Sequence, residues 1–372
     1  MLKFGDTLLD AVWIAEKEFR QFFGRLPVAR LTLISVVPLL LLIALSLRVG
    51  GLSPQQVPVV LVDLDNSQYS SDLMTTLTAN DGLIIMSAAN RSDAENMIRN
   101  GESSAAIVIP NGFSTSIEHR ERVSVELLLD DSNPFLAKHI DDVVSDSLRA
   151  FADRVSPQLV TTGTSFMYGT GFGLVNFVAP GVVAMTAMFG TSFQAQSIVW
   201  ERLLGTLDRI RATPVGASSV VLGKIVAGTL IAISQAIVML TFAHFLFGAI
   251  VRDVGAVVLV VFLVAFTFTG IGIIISSLTK APRTASAINQ MINWPMVLLS
   301  GVFYPVQAMP ETLRVVAKLL PLTYATDALR SIMIKGLGLA TIELLVDVGA
   351  LSIFAIASLV LGSSLLFKIL SR

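Results

Sequence analysis

The chain has 372 residues, 53% of them hydrophobic and only 14% charged, and its mean hydropathy is +0.75. Soluble domains carry about a quarter charged residues, so this composition excludes an ordinary soluble protein and reads as an integral membrane protein. A formal net charge of −1 leaves no basic footprint for nucleic acid, and the absence of cysteine excludes disulfides, thiolate zinc sites and a cysteine nucleophile.

Residues 1–30 are polar with a helical pattern. Leu8, Val12, Ala15, Phe19 and Phe22 line one expected face, and Asp10, Lys17 and Gln21 the other. With Lys17, Arg20, Arg25 and Arg30 adding positive charge, the stretch predicts a cytoplasmic amphipathic helix on the membrane surface. Residues 31–49 follow as a first membrane span. Its charge-free part, Leu31–Leu47, is short but within the usual range, and no A-x-A site follows to suggest a cleaved signal peptide.

Residues 50–170 change character and predict an α/β domain inserted between the first and second spans. Strand-like runs occupy 57–65, 83–86, 104–110 and 123–129, with helical segments at 67–79, 91–99 and 135–151 between and after them. Asp130, Asp131, Asp141, Asp142 and Asp146 lie close together without EF-hand spacing, which reads as a solvated acidic face. The Gly, Ser and Thr-rich stretch TTGTSFMYGTGFG, which starts at Thr161, reads as a linker or an approach to the membrane surface.

Residues 171–372 predict five further spans: Val175–Val199, Ile225–Phe247, Val254–Leu278, Thr284–Phe303 and Val348–Phe367. Gly270 and Gly272 allow close helix approach in the fourth span of the chain, and Pro295 kinks the fifth. Residues 200–214, WERLLGTLDRIRATP, carry charge between long apolar runs. At helical spacing Leu203, Leu207 and Ile210 share one face, with Glu201, Gly205, Asp208 and Arg209 opposite, and Pro214 stops the segment. Residues 304–340 hold a proline-bracketed amphipathic segment too short to span, which predicts an outer re-entrant hairpin. The distribution of Lys and Arg in short loops places both termini in the cytoplasm and the α/β domain outside.

Chemistry of its own is missing. Gly216–Ile225, GASSVVLGKI, has the wrong glycine spacing for a P-loop and puts Ile225 where Ser or Thr should hold magnesium. No convincing GxSxG or HExxH setting occurs. His119, His139 and His244 are far apart in sequence, which argues against a histidine metal cluster. No charged residue falls in the middle of an expected span, which argues against a secondary transporter. A six-span chain without an engine points to a partner that supplies energy.

Glu201-x3-Gly205-Thr206-Leu207, then Thr213-Pro214-Val215 and Gly223-Lys224, resembles the signature loop of ABC-2 type transporter permeases. So do Ser300-Gly301-x2-Tyr304-Pro305 with Met309-Pro310, and Pro321-Leu322-Thr323-Tyr324-x2-Asp327-x2-Arg330. The start of the expected outer domain, Val60-x-Val62-Asp63-x-Asp65-x-Ser67, is similar to long-ectodomain bacterial and archaeal members. The resemblance implies an α-helical polytopic membrane protein of the type V ABC exporter kind, with six transmembrane helices and an extracytoplasmic α/β domain. It implies a homodimer or heterodimer of permease chains in the cytoplasmic membrane, with two copies of a separate ABC ATPase that binds the ATP and Mg; this chain itself would carry no cofactor and no catalytic residue. The coupling helix would be 200–214, and the exported molecule an amphipathic or hydrophobic drug, lipid, polyketide or glycoconjugate.

On that reading Glu201, Arg202, Leu203, Gly205, Thr206, Leu207, Arg209, Ile210, Arg211, Thr213 and Pro214 are the candidate ATPase-coupling residues. Arg202, Arg209 and Arg211 also suit anchoring to membrane lipid headgroups. Gln194, Gln235, Ser286, Asn289 and Asn293 are candidate pathway residues, each with interhelical hydrogen bonding as the plainer role. Phe303, Tyr304 and Pro305 are candidates for an outer gate, against an aromatic interface anchor. Asp327 and Arg330, one turn apart, read as a structural pair. A periplasmic adaptor is a further candidate partner. The alternative function is a membrane receptor or scaffold whose outer domain binds a ligand or protein.

Overall fold

The computed structural model describes residues 4–24, 57–79, 82–155, 159–169, 173–338 and 341–370. The expected first span, 31–49, falls outside the described residues. The chain forms two compact units, one holding the sheet elements up to Phe177 together with Gln307–Met309, and the other holding the N-terminal helix and the helices after Val178.

The first unit is a five-stranded sheet with helices between its strands. Its elements are β1 (Val57–Asp63), α2 (Gln68–Thr78), β2 (Leu83–Ser87), α3 (Arg91–Arg99), β3 (Ala105–Ile109), α4 (Phe113–Glu118), β4 (Val123–Leu129), α5 (Pro134–Val155) and β5 (Val160–Phe166); α1 is the N-terminal helix, Phe4–Gly24. The strand order is β2-β1-β3-β4-β5. All neighbouring pairs are parallel except β3 with β4. Strand alternation sends Val57, Val59 and Leu61 to one core, with Leu73, Phe113, Ile140 and Phe151. It sends Val60 and Val62 to a second core with Ala94 and Ile98 of α3. A strand buried on both faces has to be apolar throughout, which is why VPVVLV reads as a continuous run.

Two expectations change here. The Gly, Ser and Thr-rich stretch read as a linker contains β5, paired in register along β4 from Val160 to Phe166. Threonine's branched Cβ suits a pleated surface, and Gly163 is required where a Cβ would stand 2.8 Å from Ser124 Oγ. The acidic face is not uniformly solvated either: Asp131 is buried and accepts from the Tyr168 backbone N–H at 2.7 Å. Among the described residues no group of His, Asp or Glu is arranged to hold a metal ion.

The second unit is helical: α1, α6 (Leu174–Leu203), α7 (Thr206–Arg211), α8 (Ala217–Phe247), α9 (Val254–Leu278), α10 (Pro282–Leu299), α11 (Glu311–Ala317), α12 (Pro321–Arg330), a π-helical turn at Ser331–Lys335, and α13 (Ile342–Leu370). Among the described residues three helices are long and apolar enough to cross a membrane: α8 through Phe245, α9 and α13. Helices α8 and α13 begin earlier than their expected spans, so Lys224 and Asp347 lie inside long apolar helices rather than in flanking loops. Hydrogen bonding along the backbone continues a helix past the end of its apolar run when a charged side chain finds a partner, as Lys224 does. Helices α9 and α13 meet at glycine: a Cβ on Gly270 would stand 2.5 Å from the Ser358 carbonyl carbon, and one on Gly362 2.8 Å from Gly270 O. Ser358 Oγ fills the contact by donating to Thr267 O at 2.9 Å.

Candidate functional site

The segment expected as one helix over 200–214 is two elements. Helix α6 runs to Leu203, and α7 starts only at Thr206. Between them Gly205 has φ +67°, a left-handed conformation that side chains disfavour. The break resets the helical phase. Leu203 therefore does not share a face with Leu207 and Ile210: it is 59% exposed, whereas Leu207 is 2% exposed. Leu207 and the half-buried Ile210 sit in an apolar cluster with Ile198 of α6, Val220 and Val221 of α8, Ile273 of α9 and Leu366 and Leu370 of α13. One short helix thus anchors a side chain in a cluster to which four long helices contribute. Its other side is open: Asp208, Arg209, Ala212, Thr213 and Pro214 are exposed, as are Leu203 and Leu204 just before the break.

Glu201 and Arg202 turn inward. Arg202 Nη1 donates to the carbonyl of Thr279, at the end of α9, at 3.1 Å. Glu201 enters a buried ionic network. Lys224 Nζ donates to Glu201 Oε2 at 2.5 Å and also to Glu18 Oε1. Lys17 Nζ reaches Glu201 Oε1 at 2.8 Å, and Ser197 Oγ donates to Glu18 Oε2 at 3.1 Å. Lys224 is 1% exposed and Glu18 4%. A charge that deep is tolerated only when paired and hydrogen-bonded; among the described residues two ammonium groups meet two carboxylates here.

The same network explains why α1 lies where it does. Ala11, Ala15 and Glu18 form its buried face. A Cβ on Gly223 would stand 2.7 Å from Ile14 Cβ and 3.0 Å from Ala11 O, so glycine is what lets α1 touch α8. The expected apolar face was Leu8, Val12, Ala15, Phe19 and Phe22. Ala15 is buried, but Val12 is exposed, together with Leu9 and Trp13; the side chains of Leu8, Phe19 and Phe22 fall outside the described ones. Close helix approach selects the small residues, and the bulky apolar ones remain for another surface. Sequence reasoning missed Lys17, Glu18, Ser197 and Lys224 as a group. The available signal was Gly223-Lys224, whose lysine stands in a run otherwise free of charge.

The other candidates fall as follows. Asn289 and Asn293 of α10 are buried within the chain, and Asn289 Nδ2 donates to Ala285 O at 3.0 Å. Ser286 and Gln235 are half-buried. Gln235 packs on α6 at Gly190, where a Cβ would stand 2.4 Å from its Oε1. The side chains of Gln194 and Arg211 fall outside the described ones. Phe303 and Tyr304 are half-buried and Pro305 buried. They follow Gly301, whose φ is +76° and whose carbonyl accepts from Arg330 Nη2 at 2.9 Å. Arg330 Nη1 also donates to Asp327 Oδ1 at 3.1 Å, so Asp327 and Arg330 hold this turn together.

In the sheet unit, the residues after β1 form a loop lock. Asp63 Oδ1 accepts from the backbone N–H of Asp65 and of Asn66, and its Oδ2 from Ser70 Oγ. Asp65 accepts from the Gly112 and Ser114 N–H groups at 2.8 and 3.0 Å, joining the β1 loop to the β3 loop. Burial works against the Asp65 carboxylate, but hydrogen bonds from Ser67, Ser114 and Gly112 hold its pKa below the ordinary value of 3.8.

Comparison with known proteins adds to this geometry. A family model described as "ABC-2 family transporter protein" matches residues 30–363. The chain is 26% identical over 354 residues to "ABC transporter G family member 20" of Dictyostelium discoideum, covering 91% of this chain and 48% of that protein. It is 22% identical over 338 residues to "Probable multidrug ABC transporter permease YbhR" of Escherichia coli (strain K12), covering 88% of this chain and 91% of that one. It is 22% identical over 331 residues to "Linearmycin resistance permease protein LnrN" of Bacillus subtilis (strain 168), covering 80% and 85%. The chain spans about half the length of the Dictyostelium relative and nearly all of the bacterial ones.

Proposed function

The chain belongs to the ABC-2 family of transporter membrane proteins, and from that premise we propose that it is the permease subunit of an ABC exporter driven by a separate ATPase docked at α7. The observation that carries the reading is the division of α7 itself. Leu207 is buried in an apolar cluster drawn from α6, α8, α9 and α13, with Ile210 packed against it, while Asp208 and Arg209 face outward. A load on the outer face is delivered to four long helices through close-packed side chains, which transmit displacement rather than absorb it. The ATPase-facing surface is then Leu203, Leu204, Asp208, Arg209, Thr213 and Pro214, and Glu201, Arg202 and Leu207 act from behind it.

Two permease chains and two ATPase subunits form the working complex in the cytoplasmic membrane, with both termini cytoplasmic and the sheet unit, approximately residues 50–170, outside. The remaining helices, with the first span at 31–49, make six spans. The cargo class is amphipathic or hydrophobic, supported by relatives whose names specify multidrug transport and linearmycin resistance. The five pathway candidates and the Phe303–Pro305 gate belong to this proposal. A receptor or scaffold would not need a short helix anchored in the core shared by four others.

The test is co-expression with a Walker-motif ATPase encoded beside this chain, followed by purification and reconstitution in lipid. The expected result is a stable complex whose ATP hydrolysis responds to added hydrophobic drugs. A chain that purifies alone and leaves hydrolysis unchanged would refute the reading.

A further inference from the structure

We propose that Lys224 is a positioning residue that fastens α1, the end of α6 and the start of α8 into one body, so that a displacement of α7 carries the N-terminal helix with it. Lys224 stands between two carboxylates from different elements, Glu18 of α1 and Glu201 of α6. It is 1% exposed, so water is excluded from both pairs. In such surroundings opposite charges attract far more strongly than in water, and separating them leaves a buried charge without compensation. The three elements therefore move together or the network breaks. Lys17, half-buried at the solvent side, closes the charge balance on Glu201. Apolar contact alone would fasten α1 less firmly, because its buried face is mostly alanine. The connection to α7 runs through an apolar cluster: Ile14 of α1 packs against the cluster that holds Leu207.

The purpose of this motion rests on the permease reading; the fastening itself does not. The first arm of the test therefore needs no ATPase. Hydrogen exchange is followed on the full chain in lipid nanodiscs for the wild type, Glu18→Gln and Lys224→Met. Glu18→Gln keeps the shape and the Ser197 hydrogen bond while removing the one carboxylate charge that α1 turns toward Lys224, and it leaves Lys224 paired with Glu201, so it folds even where Lys224→Met does not. The expected result is at least a tenfold faster exchange across residues 11–18 with α9 and α13 unchanged. Unchanged protection of α1 in Glu18→Gln would overturn the proposal.

The second arm replaces the ionic tie with a covalent one. The chain has no cysteine, so Ile14→Cys with Gly223→Cys introduces a single pair. Their Cβ positions stand 2.7 Å apart, and about an ångström of outward adjustment reaches disulfide spacing. In membranes carrying the co-expressed ATPase, Glu18→Gln lowers dye transport at least fivefold. Oxidation of the cysteine pair in that background restores it, and reductant removes the gain. Transport that stays low with α1 covalently held would contradict a positioning role. If the wild-type complex moves no dye, the permease reading fails while the exchange arm still decides the fastening.

Discussion

The two units satisfy their carboxylates over different distances in sequence. In the sheet unit, Asp63 and Asp65 are satisfied by backbone N–H groups and hydroxyls of adjoining loops, and Asp63 finds its partners within seven residues. In the helical unit, Glu18 and Lys224 meet across 206 positions of sequence, and Lys17 and Glu201 across 184. The Asp63 arrangement fixes a local turn, because each of its partners is close before folding starts, whereas Asp65 joins two loops through partners 47 and 49 positions away. The network of the helical unit can form only when distant helices have assembled, so it reports assembly and fails when assembly is disturbed. A charge satisfied within its own loop, as Asp63 is, fixes a turn, and charges satisfied only across distant helices fasten those helices together.

Lys224→Ala breaks that contrast most severely. It leaves Glu18 buried without its ammonium partner and Glu201 with Lys17 alone, and the helical unit should lose about 3–5 kcal/mol, measurable as a large drop in thermal midpoint in detergent with the sheet unit's exchange protection unchanged. Next is Gly270→Leu, which drives a side chain into the Ser358 backbone. Overpacking should cost about 1–3 kcal/mol, visible in the same melt, and Gly270→Ala should cost less.

The sheet unit offers a milder counterpart. Asp65→Asn replaces charge-assisted hydrogen bonds with neutral ones, and a loss of about 1–2 kcal/mol is expected, read by exchange of β1 and β3 amides. The sign of the pH dependence follows from the lowered pKa of Asp65. Its contribution is fully present above the ordinary carboxylate value and disappears as pH falls through the folded value. Wild type and Asp65→Asn should therefore converge in stability below the ordinary range and separate above it. Smallest in stability is Arg209→Glu, an exposed position where a change within about 0.5 kcal/mol is expected. Its effect should instead fall on ATP hydrolysis, with drug stimulation lost while the melt is unchanged.

The sequence was most readable where physical signals were local. Val57–Asp63 declared itself as a buried strand by unbroken apolar residues, and Asn90 before α3 by its cap, its side chain accepting from Asp93 N–H. Strand β5 was hidden because threonine, serine and glycine serve loops as well as strands, and only the pairing with β4 decides between them. In the membrane-type helices, apolar runs located α9 residue for residue, yet they cut α8 and α13 short, since a charged residue was read as a boundary. The loop after α6 stood out by its charge, and the family resemblance by its Glu, Gly and Thr-Pro spacing. The break at Gly205 did not stand out, because a glycine inside a helical pattern is equally compatible with a weakened helix. Nothing in the order of residues connected Glu18 to Lys224: a carboxylate beside Lys17 looks like the solvated side of a surface helix until a third element covers it.

Arg209→Cys gives the sharpest test of the permease account, since the chain has no other cysteine. In membranes carrying the co-expressed ATPase, a short bifunctional thiol reagent should link this position to the ATPase, and a membrane-impermeant thiol label should reach it only from the nucleotide side. Labelling from the opposite side, or no link to the ATPase under conditions where hydrolysis is drug-stimulated, would contradict coupling through α7.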